Sequence, residues 1–298
     1  MSQTLIMGIT AAQIVTCFFG FITNGFILGV NFQDWIRSIP LTTSDFYMSF
    51  MALINIFLQI WTAADWMCDQ SEDQSREYFC KIVYACKMMT SSSSLLLTAS
   101  LCLFYCSKIV VLKSHLLRWS QNHITSYYRP ITAAILLLCI LMALPLAWIG
   151  DDEEDRACKG FLVPCNQTRT SYMIRYRPVL IVFGYTLPVT CVLLSAFLIL
   201  RSLIKHMKKM RVTIRVRMEA HVQAGYTVLL LLILFCIYFV LSLLLLIKMA
   251  PKGSIIYYTC YTTPLVYSLI HSLVLIKGHA KLRQTVAGFM KKLLWCKG

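Results

Sequence analysis

Seven stretches of this chain run for about 20 residues or more without a charged side chain, at 5–30, 46–64, 88–107, 130–149, 178–200, 222–247 and 253–276. A helix needs about 20 mostly apolar residues to cross the hydrocarbon core of a bilayer. One such window also fits a helix buried in a large soluble core, but seven in succession do not. Extended over their flanking residues, they predict helices at about 5–30, 43–66, 80–108, 130–149, 178–204, 221–247 and 253–277. Seven helices of this length take roughly 160 residues, which leaves short loops and one domain over residues 1–298. Composition agrees. The chain is 58% hydrophobic and 14% charged, yet carries a formal net charge of +15. Soluble domains average roughly 25% charged residues. Lipid resolves the conflict by taking the apolar residues and leaving the charges to the loops. A soluble enzyme, a disordered tail, a secreted disulfide knot and a nucleic-acid-binding protein are all excluded on this ground. The expected fold class is an all-α membrane protein, a seven-transmembrane helix bundle.

The first window lacks a basic n-region and is longer than a usual signal-peptide core, so it reads as a retained helix. Lys and Arg set the orientation. The face with the 1–2, 3–4 and 5–6 connections and the C-terminus holds 18 Lys/Arg and three acids, Asp34, Asp45 and Glu219. The opposite face holds 10 of each sign. The expectation is therefore an N-terminus outside and a C-terminus inside. The segment 279–295 is basic, with Leu282, Val286, Phe289, Met290, Leu293 and Leu294 spaced as for a helix lying on the inner membrane surface. Asn166-Gln167-Thr168 is the chain's only N-x-S/T sequon and falls in the 4–5 loop on the outer face, which makes Asn166 the glycosylation candidate. Of 13 cysteines, Cys80 sits at the outer start of helix 3, and Cys158 and Cys165 sit in the loop with the sequon. A disulfide from Cys80 to either suits the oxidising side. Cys158–Cys165 is the competing pairing, and free thiols are the third reading.

Seven spans with an outside N-terminus fit a G-protein-coupled receptor, a transporter or an opsin-like pigment. A retinal pigment needs a Lys inside a span, and helix 7 has Lys252 and Lys277 only at its ends. The three Pro-x-acid-x-x-base repeats of a mitochondrial carrier do not follow Pro40, Pro145, Pro188 or Pro264, and there is no Walker loop, His-Glu-x-x-His or paired intramembrane carboxylate. No enzyme, cofactor or metal centre is expected. Polar residues inside spans are costly and mark functional positions. Asn24, Asn55, Gln59 and the run Thr90-Ser91-Ser92-Ser93-Ser94 are such residues. The run spreads around the helix, so it either lets neighbouring backbones approach or lines a cavity open to the outside. Lys87 lies two turns into helix 3, while Asp65 and Trp66 lie near the outer end of helix 2. The Lys87 ammonium snorkels to the surface, pairs with Asp65, or faces an acidic or hydrogen-bonding ligand. Asp65, Trp66, Lys87, Met88, Ser91 and Ser92 form the expected ligand-binding set.

Several segments resemble one family, the type 2 (bitter) taste receptors. Phe104-Tyr105-Cys106-Ser107-Lys108-Ile109 resembles its Phe-Tyr-x-x-Lys-Ile stretch, and Ser202-Leu203-Ile204-Lys205-His206-Met207-Lys208-Lys209-Met210 its Ser-Leu-x-Lys-His-x-x-x-Met run. His221-Val222-Gln223-Ala224 is similar to His-Val-x-Ala, and His271-Ser272-Leu273-Val274-Leu275-Ile276 with Lys281-Leu282 to the helix 7 pattern. Asp65-Trp66 resembles the outer end of the family's helix 2. The chain also departs from the pattern. Asn55 stands where many members have Arg, Lys87 where many have Trp, and Ser91 where many have Asn. In helix 7, Ser268 takes the place of a proline, and Pro264 is the proline present. Cys80 stands 25 residues before Tyr105, where rhodopsin-like receptors keep a disulfide cysteine.

The resemblance implies a divergent member that senses small bitter molecules, couples to a gustducin-type heterotrimeric G protein and sits in the plasma membrane. It further implies that Tyr105, Lys108, Lys205, His206 and His221 frame the G-protein groove. The alternatives are a pheromone-type (vomeronasal-like) chemoreceptor and, further off, a small-molecule transporter.

Overall fold

The computed structural model describes residues 3–70, 77–109, 115–149, 176, 178–209, 215–247, 249, 251 and 254–295. The helices are α1 (Gln3–Ile36), α2 (Thr43–Gln70), α3 (Glu77–Ile109) and α4 (His115–Ile149), then α5 (Leu187–Lys209), α6 (Arg215–Leu246), α7 (Ile255–Gly278) and α8 (Ala280–Trp295). A π-helical turn, Leu180–Thr186, leads into α5. Seven helices, α1 to α7, are long and apolar enough to cross a membrane. Their large apolar residues cover both the core and the outer surface, as with Phe18, Leu141, Phe197 and Ile237, all more than half exposed. That pattern suits a bundle solvated by lipid.

The helices outrun their charge-free windows because a window marks the lipid-crossing part and not the hydrogen-bonded length. Helix α4 begins at His115, 15 residues before the 130–149 window, and carries Pro130 and Pro145 inside it. Helix α2 continues to Gln70, a turn past the expected 66.

That extra turn corrects the disulfide expectation. Cys80 pairs with Cys68, with Cα atoms 5.6 Å apart. The last turn of α2 and the first turn of α3 lie side by side across a short connection, which brings the two thiols within bonding reach. Cys158, Cys165 and Asn166 lie outside the described residues.

Helix α3 is the axis of the bundle. Its neighbours are α2, α4, α5 and α6. Of its central window 78% is buried, against 17% for α1 at the periphery. A helix surrounded on every side cannot have one polar face, so its hydroxyl run is distributed. Ser91 bonds to Tyr238 of α6 at 2.5 Å. Ser92 lies against Gly184, where an added Cβ would meet its Oγ at 3.0 Å. Ser94 donates to Asn55 of α2 at 2.8 Å.

The end of the bundle away from the disulfide is closed by a polar clasp. Thr42 and Asp45 form a reciprocal cap on α2: Thr42 N–H donates to Asp45 Oδ2 at 3.2 Å, and Asp45 N–H donates to Thr42 Oγ1 at 3.2 Å. Lys281 of α8 reaches Asp34 of α1 at 2.6 Å, donates to Asn31 Oδ1 at 2.8 Å and lies 3.5 Å from Asp45 Oδ1. Leu282 beside it is fully buried. His279 stands in extended conformation between α7 and α8, 3.9 Å from Asp45. Burial lowers its pKa from the ordinary value; Asp45 opposes that shift and Lys281 adds to it.

Candidate functional site

Two polar groups lie in the half of the bundle towards the disulfide, and a buried network lies below them. The first joins α2, α3 and α7. Lys87 Nζ meets Asp65 Oδ2 at 2.6 Å, and both side chains are about nine-tenths buried. The same oxygen accepts the hydroxyl of Tyr261. The Tyr261 ring lies beneath the Lys87 ammonium, 4.2 Å from centroid to Nζ, in cation–π range. Trp66 packs edge-on to Tyr261 and Tyr258, at centroid distances of 5.4 and 5.6 Å. Tyr257 packs on Tyr261, with ring centroids 5.7 Å apart. Lys87 therefore does not snorkel. It closes on Asp65, because α2 and α3 run side by side from the disulfide and bring the two charges to one level.

Met88, Ser91 and Ser92 belong to a second group, on the α5 and α6 side of α3. Met88 Sδ accepts the Tyr185 hydroxyl at 3.9 Å. Ser91 holds Tyr238, whose ring stacks on Tyr267 at 4.4 Å. Tyr267 in turn stacks on His271 at 5.3 Å.

Below both groups lies a buried network between α1, α2, α3 and α7. Asn55 Nδ2 donates to Asn24 Oδ1 at 3.3 Å and to His271 Nδ1 at 3.0 Å, while its Oδ1 accepts from Ser94. An amide nitrogen can only donate, so His271 Nδ1 is the bare nitrogen and its Nε2–H faces Thr98 Oγ1 at 3.1 Å. Thr98 passes its own proton to the Ser94 carbonyl at 2.7 Å. Gln59 donates to Ser268 at 2.6 Å. Every polar atom of Asn55 is satisfied, the condition under which such a group survives in a bundle core.

The structure thus brings Asp65, Trp66 and Lys87 together, and gives Met88, Ser91 and Ser92 other partners, Tyr185, Tyr238 and Gly184. It adds Tyr261, Tyr238, Tyr185 and Tyr267, which reasoning from the sequence passed over. For Tyr261 and Tyr267 the signal was the spacing of Tyr257 and Tyr261, and of Tyr267 and His271, four residues apart on one face of α7; Tyr185 and Tyr238 carried none. At the opposite end, Tyr105 packs into the core beside Phe104, and exposed Lys108 lies 5.6 Å from the Phe104 ring. The side chains of Lys205, His206 and His221 lie outside the described residues. Among the described residues, no group of His, Cys, Asp or Glu could hold a metal ion.

Seven helices long and apolar enough to cross a membrane, packed around a polar axis with charged and aromatic side chains buried between them near one end, define a seven-helix membrane bundle. The family model for taste receptor protein (TAS2R) matches residues 1–297. The chain belongs to that family. It is 28% identical over 287 residues to taste receptor type 2 member 124 of Mus musculus, covering 92% of this chain and 90% of the relative. Taste receptor type 2 member 10 of Papio hamadryas is 26% identical over 294 residues, 93% of this chain and 91% of the relative. Member 40 of Gallus gallus is 27% identical over 204 residues, 64% of this chain and 63% of the relative. At these identities the chain is a divergent member. Family membership makes it a bitter-taste G-protein-coupled receptor of the plasma membrane, a receptor and not an enzyme.

Proposed function

We propose that residues 1–298 act as one receptor unit that binds small bitter-tasting molecules at the disulfide end and signals through a gustducin-type G protein at the other. The observation that carries this reading is the buried Asp65–Lys87–Tyr261 group, charged and aromatic and placed between three helices at one end of the bundle. Membrane interiors hold such groups where a polar substrate or signal is handled. The disulfide end is the outer one, in keeping with the oxidising side and with the excess of Lys and Arg at the other end. Asn166 carries the glycan on that outer side. Agonist enters between α2, α3 and α7, with Met88, Ser91 and Ser92 lining the deeper side towards α5 and α6. It shifts the helix arrangement only by its differential affinity for the two states. Tyr105, Lys108, Lys205, His206 and His221 frame the G-protein groove at the inner ends.

The test is expression of the full chain with a chimeric G protein ending in the gustducin tail, against a panel of bitter compounds, with surface display checked separately. A dose-dependent calcium response, reduced by Tyr238→Phe or Ser91→Ala, supports the reading. Silence of a surface-displayed receptor across the panel overturns it.

A further inference from the structure

The buried ion pair of the outer site is internally neutral, yet its two partners are not equally replaceable. Asp65 is short and fixed. Its Oδ2 takes the Lys87 ammonium and the Tyr261 hydroxyl together, and the Tyr261 ring supplies a π face under the cation. Lys87 has a four-carbon stem that can carry its charge out to water. An anionic ligand drawing Lys87 away would strand the Asp65 carboxylate in the bundle, which is the costly outcome. A cationic ligand taking the place of Lys87 leaves the carboxylate paired and frees only the mobile partner. Charge around the site favours the same sign. Among the described residues between 65 and 87, Asp65, Asp69 and Glu77 stand against Lys81 and Lys87, a local negative excess in a chain of net charge +15. Lys81 is held by Glu77 at 2.5 Å. Such an excess draws cations towards a mouth.

Resting on the reading of this end as the ligand-facing mouth, we propose that Asp65 and Tyr261 form a recognition seat for an alkylammonium group. The Lys87 ammonium is the seat's built-in occupant. A cationic agonist acts here by displacing it, and a neutral agonist leaves the pair closed.

The experiment uses the full chain purified in detergent, as wild type, Lys87→Met and Lys87→Met/Asp65→Asn. The probe is n-butylammonium chloride, with potassium chloride as the ionic control, and the readout is the thermal unfolding midpoint. In Lys87→Met the seat is empty, and the amine raises the midpoint by about 3 °C over the salt control. The double variant gives no rise. Wild type needs at least tenfold more amine than Lys87→Met for the same rise. Lys87→Gln, which keeps a hydrogen-bond donor towards Asp65, is used if Lys87→Met does not fold. Equal amine responses in the single and double variants, or none in either, overturn the proposal. Failure of the underlying reading looks different. A calcium response to bitter agonists without any amine effect rejects the seat alone, and an amine effect in a receptor silent to every agonist rejects the agonist reading alone.

Discussion

Lys87 and Asp65 show what one residue can do when water is excluded. Removing one member of a buried pair strands the other charge, at a cost of about 3–5 kcal/mol, whereas removing both often costs less. Lys87→Ala is therefore expected to lower the unfolding midpoint more than Lys87→Ala/Asp65→Ala does, in the same detergent. An additive loss in the double variant would show that the two side chains do not act as a pair. His279 sets a pH dependence at the other end. Its imidazolium is disfavoured in the folded state because it is buried, with Lys281 adding repulsion and Asp45 opposing both. The unfolded chain therefore binds the proton more readily below about pH 6.5. The clasp is fully stable above that value and weakens as pH falls through it. Hydrogen exchange of α8 amides, corrected for intrinsic rate, is expected to quicken between pH 7.5 and 5.5 in wild type and much less in His279→Gln. The sequence makes half of this visible. The charges Asp65 and Lys87 stand out because both interrupt apolar helices, and pairing was one of three readings for Lys87. Tyr261 did not stand out, because a charge-free window says nothing about how a helix is rotated against its neighbours. His279 was hidden for the same reason, since its surroundings come from α2 and α8.

Whole helices meet through small residues and fixed polar contacts. Gly20 on α1 faces Gln59 of α2 so closely that an added Cβ would lie 2.1 Å from Nε2. Gln59 would have to turn, and its 2.6 Å bond to Ser268 of α7 would go with it. Gly20→Ala is expected to destabilise by about 1–3 kcal/mol, the cost of a buried unpaired polar group. Gly25, five residues on, has nothing within 4 Å of an added Cβ. Gly25→Ala is expected to stabilise by roughly 0.5–1 kcal/mol through helix propensity. Unfolding midpoints moving in opposite directions verify the packing of α1 on α2; a fall in both, or a rise in both, contradicts it. The seven elements themselves were legible, because about 20 uncharged residues allow little else in a chain this apolar. Element ends were less so. Helix α4 begins well before its window and α2 ends a turn after its own, and that single turn conceals Cys68 as the partner of Cys80.

For the molecule as a whole, the +15 net charge belongs to one end. The end with α8 and the 1–2, 3–4 and 5–6 connections holds 18 Lys/Arg against three acids, while the other end is balanced. Such a surface attracts anionic lipid at about 1 kcal/mol per basic residue near it, and it offers an acidic G-protein surface a matching partner. At the balanced end sits a buried charge pair, Asp65–Lys87, joined to aromatic groups of α7. The network of Asn24, Asn55, Ser94, Thr98, Ser268 and His271 lies between the two ends and touches four helices. On the proposed function, with ligand at one end and G protein at the other, the two communicate through these helices only if each favours the same arrangement. Agonist-dependent nucleotide exchange on a gustducin-type G protein, in membranes containing the full chain, tests that most directly. A bitter agonist is expected to accelerate exchange, and Asp65→Asn to shift the potency of cationic agonists at least tenfold. Exchange that no agonist accelerates, in membranes where the receptor is present and folded, would contradict the proposed function.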